Sequence, residues 1–251
     1  MEPLISLSGE RSPERWNAAN VCVVIPALNE EATIGDVVRA VLRQPVGEVI
    51  VVDNGSTDQT AARARAAGAR ILAELRRGYG RACQSGIEAL GVGCGIVAFL
   101  DGDGSDCPEF LPQLIEPIAA GRKDFVIGSR IRGQREPGSM NPQQILAGRL
   151  AGILLHGLYG VRYTDMGPFR AISTVALQRL DMSEMTYGWN LEMQMRAASL
   201  GLRIEEIPVD HRLRRGGHSK VSGNLLGSLR ALVRILLTFL RLAFSSRTRK
   251  S

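Results

Sequence analysis

Cysteine, histidine and aromatic residues are scarce in this chain, and each scarcity removes a class of explanation. The four cysteines are Cys22, Cys83, Cys94 and Cys107, and no two have C-x-x-C spacing. With only three histidines, no zinc pattern is completed. Cys22 and Cys94 sit in apolar, β-type runs and read as small core residues. Without a disulfide framework the chain suits a reducing, cytoplasmic compartment. Aromatics make up 5% of the chain, and the basic C-terminal region holds only Phe239 and Phe244, both in an apolar run. That is no stacking platform, so nucleic acid is not an expected partner. Residues 1–20 lack an apolar run of signal-peptide length and carry Glu2, Glu10, Arg11, Glu14 and Arg15. They read as a loosely ordered leader. No internal repeat or low-complexity segment is present.

What remains suits one large globular domain with an appendage: 251 residues, 45% hydrophobic and 22% charged. The net charge of +6 is unevenly placed. From His211 to Ser251 there are ten Lys or Arg and no Asp or Glu, so the first 210 residues carry 21 basic and 25 acidic groups. An acidic body with a basic tail points the tail at an anionic surface or ligand. Leu225 to Phe244 has the length of a membrane span but contains Arg230, Arg234 and Arg241, each expensive at mid-bilayer. At 100° per residue these arginines fall nearly on one line, with Leu, Ile and Val opposite. The spacing predicts a basic amphipathic helix and tail over 223–251. It would lie in a membrane interface, or equally pack on the domain body or on a second copy in a homodimer.

Apolar β-type runs alternate with helical stretches from Val21 onward, the pattern of βαβ units and a mostly parallel sheet flanked by helices. Strands are expected over 21–25, 48–53, 69–74, 95–100, 124–129 and 204–209. Residues 130–141 read as a mobile loop, 162–170 as an irregular motif, and 177–185 and 191–200 as helices. One run, Ile96 to Leu100, ends directly on Asp101-Gly102-Asp103-Gly104-Ser105-Asp106. Three carboxylates this close repel one another unless a cation or backbone N–H groups offset them. Oxygen ligands suit a hard divalent ion, Mg2+ or Mn2+, which also holds substrate phosphates. The plain alternative is a solvated Asp-Gly turn.

Six motifs in order join this stretch: Ile25 to Glu30, Val51 to Asp58, Arg77 to Gly80, Leu100 to Asp103, Asp165 to Arg170, and Gly216 to Lys220. Together they resemble glycosyltransferase family 2, and within it the dolichyl- or polyprenyl-phosphate sugar synthases. The resemblance covers 21–222 and implies a GT-A fold, a Rossmann-like α/β sheet with the nucleotide at the strand ends. It implies that Pro26, Leu28 and Glu30 line the base and ribose pocket, that Asp53 binds base or ribose, and that Gly78 belongs to the donor loop. Asp101 and Asp103 would hold nucleotide and metal, with Asp103 the direct ligand. Ser105 stands where many relatives have Gln, with Asp106 as a substitute ligand. Asn190 stands where relatives often have Asp, and Glu192 is kept.

The implied reaction moves a sugar from a UDP- or GDP-linked donor to a polyprenyl phosphate or similar lipid-linked acceptor, metal-assisted and with inversion. The enzyme would then be peripheral on the inner face of the cell membrane. Such an acceptor oxygen is already anionic and needs positioning more than a base. Arg170 and Lys220 are the favoured grips for its phosphate; Arg130 and Arg212 are as readily solvated surface charges. A hydroxyl acceptor would require a base, with Asp165 and Glu192 as candidates. The other readings are a soluble family 2 transferase using such an acceptor and a non-catalytic nucleotide-binding module.

Overall fold

The computed structural model describes residues 17–215. The expected amphipathic helix, Lys220 and the Gly216-Gly217-His218 loop lie outside the described residues. Within them the chain alternates β1 (Val21–Ala27), α1 (Ile34–Leu42), β2 (Glu48–Asp53), α2 (Thr60–Ala66), β3 (Arg70–Ala73), α3 (Tyr79–Glu88) and β4 (Ile96–Phe99). It continues through α4 (Leu111–Ala119), β5 (Phe125–Ser129), α5 (Pro142–Tyr159), β6 (Arg170–Ser173), α6 (Thr174–Leu180), α7 (Trp189–Ser199) and β7 (Ile204–Pro208). The strands form one sheet in the order β3-β2-β1-β4-β6-β5-β7.

β1 is buried along its whole length because helices cover both faces of the sheet, which is why it reads as a continuous apolar run. Its side chains still alternate. Cys22 and Val24 join Ile50 and Val52 on one face, under α3, α5, α6 and α7. Val21, Val23 and Ile25 join Val49 and Val51 on the other, under α1, α2 and α4. All four cysteines are free and buried.

β6 is the departure from the expected pattern. Residues 162–170 read as irregular in the sequence, yet Arg170 opens a four-residue strand antiparallel to both β4 and β5. The reason is topological. The chain leaves β5 at its carboxyl end, runs out through α5 and returns to the same edge, so the next strand must run backwards. The segment 130–141 is a loop, tied by Gln134 N–H to Asp210 at 3.0 Å and Glu136 N–H to the His211 carbonyl at 2.9 Å. The helix expected over 177–185 ends at Leu180, where Asp181 adopts a left-handed φ of 51°.

The sheet order places a switch point at β1. The chain continues to β2 on one side and to β4 on the other, so loops diverge from the carboxyl ends of β1 and β4 and leave a crevice. Asp53 ends β2, and Asp101 follows β4 by one residue beyond its flanking Leu100. Both strands are parallel to β1, so the two acidic ends share one edge, two interstrand spacings or roughly 10 Å apart at the backbone.

Candidate active site

Three loops at this edge are stitched together by side chains. Asn29, at a left-handed φ of 53°, accepts from Thr57 N–H at 2.8 Å while its own N–H donates to Ser56 Oγ at 2.9 Å. Glu30 N–H donates to Thr60 Oγ1 at 2.8 Å. Asp53 Oδ1 accepts from Ser56 N–H at 2.9 Å, which closes a turn and leaves its other carboxylate oxygen for a ligand. Asn54 Nδ2 donates to the carbonyls of Glu74 and Arg76, and its Oδ1 accepts from Gly78 N–H at 2.8 Å. Asn54 and Thr60 thus set the shape of the expected donor pocket of Pro26, Leu28, Glu30, Asp53 and Gly78. The sequence reading missed both; the signal for Asn54 was its place directly after Asp53 in the turn.

Gly78 has no room for a side chain. Its φ is 152°, and a Cβ there would lie 2.2 Å from the Met185 carbonyl oxygen. The neighbouring N–H groups of Gly80 and Arg81 donate to Thr186 and Met185. Residues 183–186 therefore ride directly on the start of α3.

The acidic turn itself crowds the carboxyl groups of Asp101, Asp103 and Asp106 together. Thr33 Oγ1 donates to the Gly102 carbonyl at 2.8 Å, tying the turn to the first loop. Asp106 Oδ2 accepts from Asp101 N–H at 3.0 Å. Asp101 Oδ1 and Asp106 Oδ1 are buried with no hydrogen-bond partner. Burial, with Asp103 and Asp106 nearby, pushes the Asp101 carboxyl well above the ordinary range. Burial and Asp103 push Asp106 up to about 7. His211 Nδ1 lies 3.7 Å from Asp106 Oδ1, and burial with Arg130 nearby lowers the imidazole to about 4, so it is neutral at pH 7.

Arg214 faces this cluster. Arg214 Nη1 lies 3.2 Å from Asp103 Oδ2, and Arg214 also pairs with Glu30. The segment 211–215 is laid along the acidic turn by backbone bonds from Arg212 N–H to Ser105 and from Arg215 N–H to Asp103. Arg214 lies 111 positions from Asp103 in the chain, and the sequence reading placed it only within a basic loop.

An orphaned carboxylate oxygen and a surplus of oxygen donors fit a hard divalent ion. Among the described residues, however, no three His, Cys, Asp or Glu side chains are grouped closely enough to hold one alone. The chemistry that fits is an ion shared with phosphates and water, with Asp103 or Asp101 supplying one or two ligands. Ser105, expected as a ligand, is bonded to Asp103. Its N–H and Oγ both donate to Asp103 Oδ1, at 2.9 and 2.6 Å, so it orients that carboxylate.

Three other expected site residues have mostly protein partners. Arg170, expected at an acceptor phosphate, is fully buried. Its guanidinium donates to the carbonyls of Gly167 and Asn190 and lies 5.7 Å from the Phe125 ring centre. Burial lowers its pKa to about 10. With no exposed surface, this guanidinium braces the interior. Glu192, a candidate base, is also fully buried, accepting from Ser183 N–H and Oγ, Glu184 N–H and Arg196 Nε. It holds the 183–184 loop that rests on α3.

Asp165, the other candidate base, is engaged by Arg130 through Nε at 2.7 Å, Nη2 at 2.8 Å and the backbone N–H at 3.0 Å. Burial works against its charge, but Arg130 offsets that and holds its carboxyl below the ordinary range. Arg130, read equally as a phosphate grip or a solvated surface charge, has a side chain only 13% exposed. It sits between Asp165 and the acidic turn, whose Asp101 and Asp106 also favour its charge. Arg212 pairs with Glu109 at the surface.

Residues 22–181 match the family model described as glycosyl transferase family 2. The chain belongs to this family. It is a glycosyltransferase, 36% identical over 220 residues to an uncharacterized glycosyltransferase of Mycobacterium tuberculosis, covering 85% of this chain and 94% of that one. It is 34% identical over 226 residues to an undecaprenyl-phosphate mannosyltransferase of Micrococcus luteus, covering 82% and 89%. Among solved structures, glucosyl-3-phosphoglycerate synthase from M. tuberculosis in complex with Mn2+ and UDP-glucose superposes with a TM-score of 0.72 at 27% identity, covering 90% of this chain and 81% of that one. The sheet and switch point described above are accordingly those of a GT-A glycosyltransferase.

Proposed function

We propose that this glycosyltransferase moves a sugar from a nucleotide-sugar to a polyprenyl phosphate or similar lipid-linked acceptor, with Mg2+ or Mn2+ and with inversion at the anomeric carbon. The observation that carries the donor half is the pair of partnerless carboxylate oxygens of Asp101 and Asp106 beside Asp103, at the mouth of the β1–β4 crevice. A bound divalent ion would supply charge neutralisation for the departing diphosphate. Asp103, oriented by Ser105, would hold it, with Asp101 behind. Asp53 and the loop of Pro26, Leu28 and Glu30 would take base and ribose, and Asn54 with Gly78 would keep the pocket in shape.

The acceptor half is supported by what the site lacks to spare. The two carboxylates best placed in the sequence to act as bases, Asp165 and Glu192, are buried and engaged by cations and N–H donors. A phosphate oxygen needs no base, only a positive pocket to orient it. Arg130 would help form that pocket, and Lys220 is proposed to join it. The mannosyltransferase relative is named for such an acceptor. The second reading is a water-soluble phosphorylated hydroxy acceptor, favoured by the likeness to glucosyl-3-phosphoglycerate synthase. Incubating radiolabelled UDP- and GDP-sugars with polyprenyl phosphate and Mn2+, and scoring label in the organic phase, separates the two. Label found only in water-soluble product would sink the lipid-linked reading.

Arg214 sets up a further expectation. Its guanidinium faces the same Asp103 oxygen that an incoming ion would use, so the two cations compete. In the absence of nucleotide, Arg214→Ala is expected to tighten Mn2+ binding about threefold to tenfold. Titration followed by electron paramagnetic resonance reads this directly; unchanged or weaker binding would show that Arg214 does not compete.

A further inference from the structure

Helix α5 carries an apolar face with nothing packed on it among the described residues. Gly148, Ala151, Gly152 and Leu155 form its buried seam. Gly152 lets the helix approach so closely that a Cβ there would lie 2.1 Å from the Tyr163 carbonyl oxygen. On the opposite side Leu146, Leu150, Ile153, Leu154 and Leu158 are each 45% to 68% exposed. At 100° per residue these five fall within an arc of about 140°. A helix with apolar residues on two faces, parted by Arg149 and His156, suits a core on one side and an apolar partner on the other. This one is half in a core.

We infer that the exposed face of α5 is a membrane-docking surface that seats the enzyme on an anionic bilayer. This deepens the lipid-linked reading of the acceptor and rests on it. Charge selects the occupant. From 130 to 163 the chain carries five arginines and one glutamate. Arg132, Arg135, Arg149 and Arg162 are exposed there. Headgroup phosphates would pair with them, whereas a second copy docked through this face would bring arginine toward arginine. Position selects it too. The excursion from Ser129 through α5 to Arg170 leaves and re-enters the sheet at the edge that holds Asp101 and Asp103. Ile131 and Asp165, beside Arg130, lie against Gly148 of the same helix. A tail lying in the bilayer under α5 could therefore deliver its phosphate to that edge. The helix lies on the membrane and does not cross it: none of the described helices is long and apolar enough to span one.

The test is co-sedimentation of the full chain with vesicles of phosphatidylglycerol and phosphatidylcholine, comparing wild type with Leu150→Glu/Ile153→Glu. Both side chains are exposed, so the variant should keep its melting temperature and its transfer to a short, water-soluble isoprenyl phosphate. Its vesicle binding and its transfer to long-chain acceptor in vesicles should each fall about tenfold or more. Wild-type vesicle binding by the variant overturns the inference, as does a wild type that ignores vesicles. A large drop in melting temperature overturns it by showing the face covered by the chain itself. A wild-type dimer that the variant splits, with vesicle binding intact, overturns it in favour of a second copy. If vesicle binding falls as expected but neither protein transfers to any isoprenyl phosphate, the acceptor reading fails and the surface stands.

Discussion

Asp103→Ala is expected to lower kcat/KM for the nucleotide-sugar donor by about 10²–10³-fold, the usual cost of losing one preorganised charge-stabilising group. The side chain is 13% exposed, at the rim of the crevice, and its partners are Ser105 and Arg214 rather than the core. Removing it should leave folding intact, so a thermal melt close to wild type is part of the expected result. The substitution deletes the carboxylate proposed to face both the ion and the diphosphate. Binding of the nucleoside diphosphate should therefore lose its dependence on Mn2+, which calorimetry with and without chelator can read. Full activity in the variant, or wild-type turnover undiminished in chelator, would remove the basis for a metal-assisted mechanism.

Asp165→Ala is expected to destabilise the fold by about 3–5 kcal/mol, because it strands the Arg130 guanidinium in a nearly closed environment. The side chain of Asp165 is 1% exposed, and two of its three contacts with Arg130 run through the guanidinium. For a domain of this size such a loss is a fall in melting temperature of roughly 6–20 °C. The loss is a penalty for an unpaired charge, not the net worth of the pair. Arg130→Met combined with Asp165→Leu should therefore recover most of the stability. Urea denaturation of the two variants checks this. A single variant within about 0.5 kcal/mol of wild type would show that water reaches Arg130 and stands in for the carboxylate. The double variant carries a second reading: if it is stable but fails in transfer, Arg130 faces the acceptor as well as Asp165.

The two outcomes differ because the two carboxylates have different neighbours. Asp103 lies on a turn whose backbone is held by Thr33 and by the 211–215 segment, so the turn keeps these ties when the carboxylate is removed. Asp165 is part of a chain of buried bonds. Its own carbonyl accepts from Gln194 at 2.8 Å, and Glu206 gathers Thr164 and Asp165 N–H groups from β7. That network links α7, β7 and the end of β5, and it is what the loss of the Asp165 carboxylate would disturb.

The sequence by itself determined the alternation of strands and helices, and therefore the edge on which Asp53, Asp101 and Asp103 lie. A β-branched run that stops on Asp-Gly signals both facts locally: the run buries on both faces, and the polar turn must emerge where the strand ends. The motif at Val51 to Asp58 was legible for the same reason, since Asp53 and Ser56 close their turn within four residues. The burial of Arg170 and Glu192, the pairing of Arg130 with Asp165 and the antiparallel insertion of β6 were decided by the tertiary structure alone. Each depends on a partner far along the chain. Asp165 lies 35 residues from Arg130, and Glu206 lies 42 from Thr164. A charged residue in a loop carries no local mark of whether water or a carbonyl will surround it. Only packing supplies that neighbour, and it closed protein partners around Arg170, Glu192 and Asp165 that no local stretch of sequence announces.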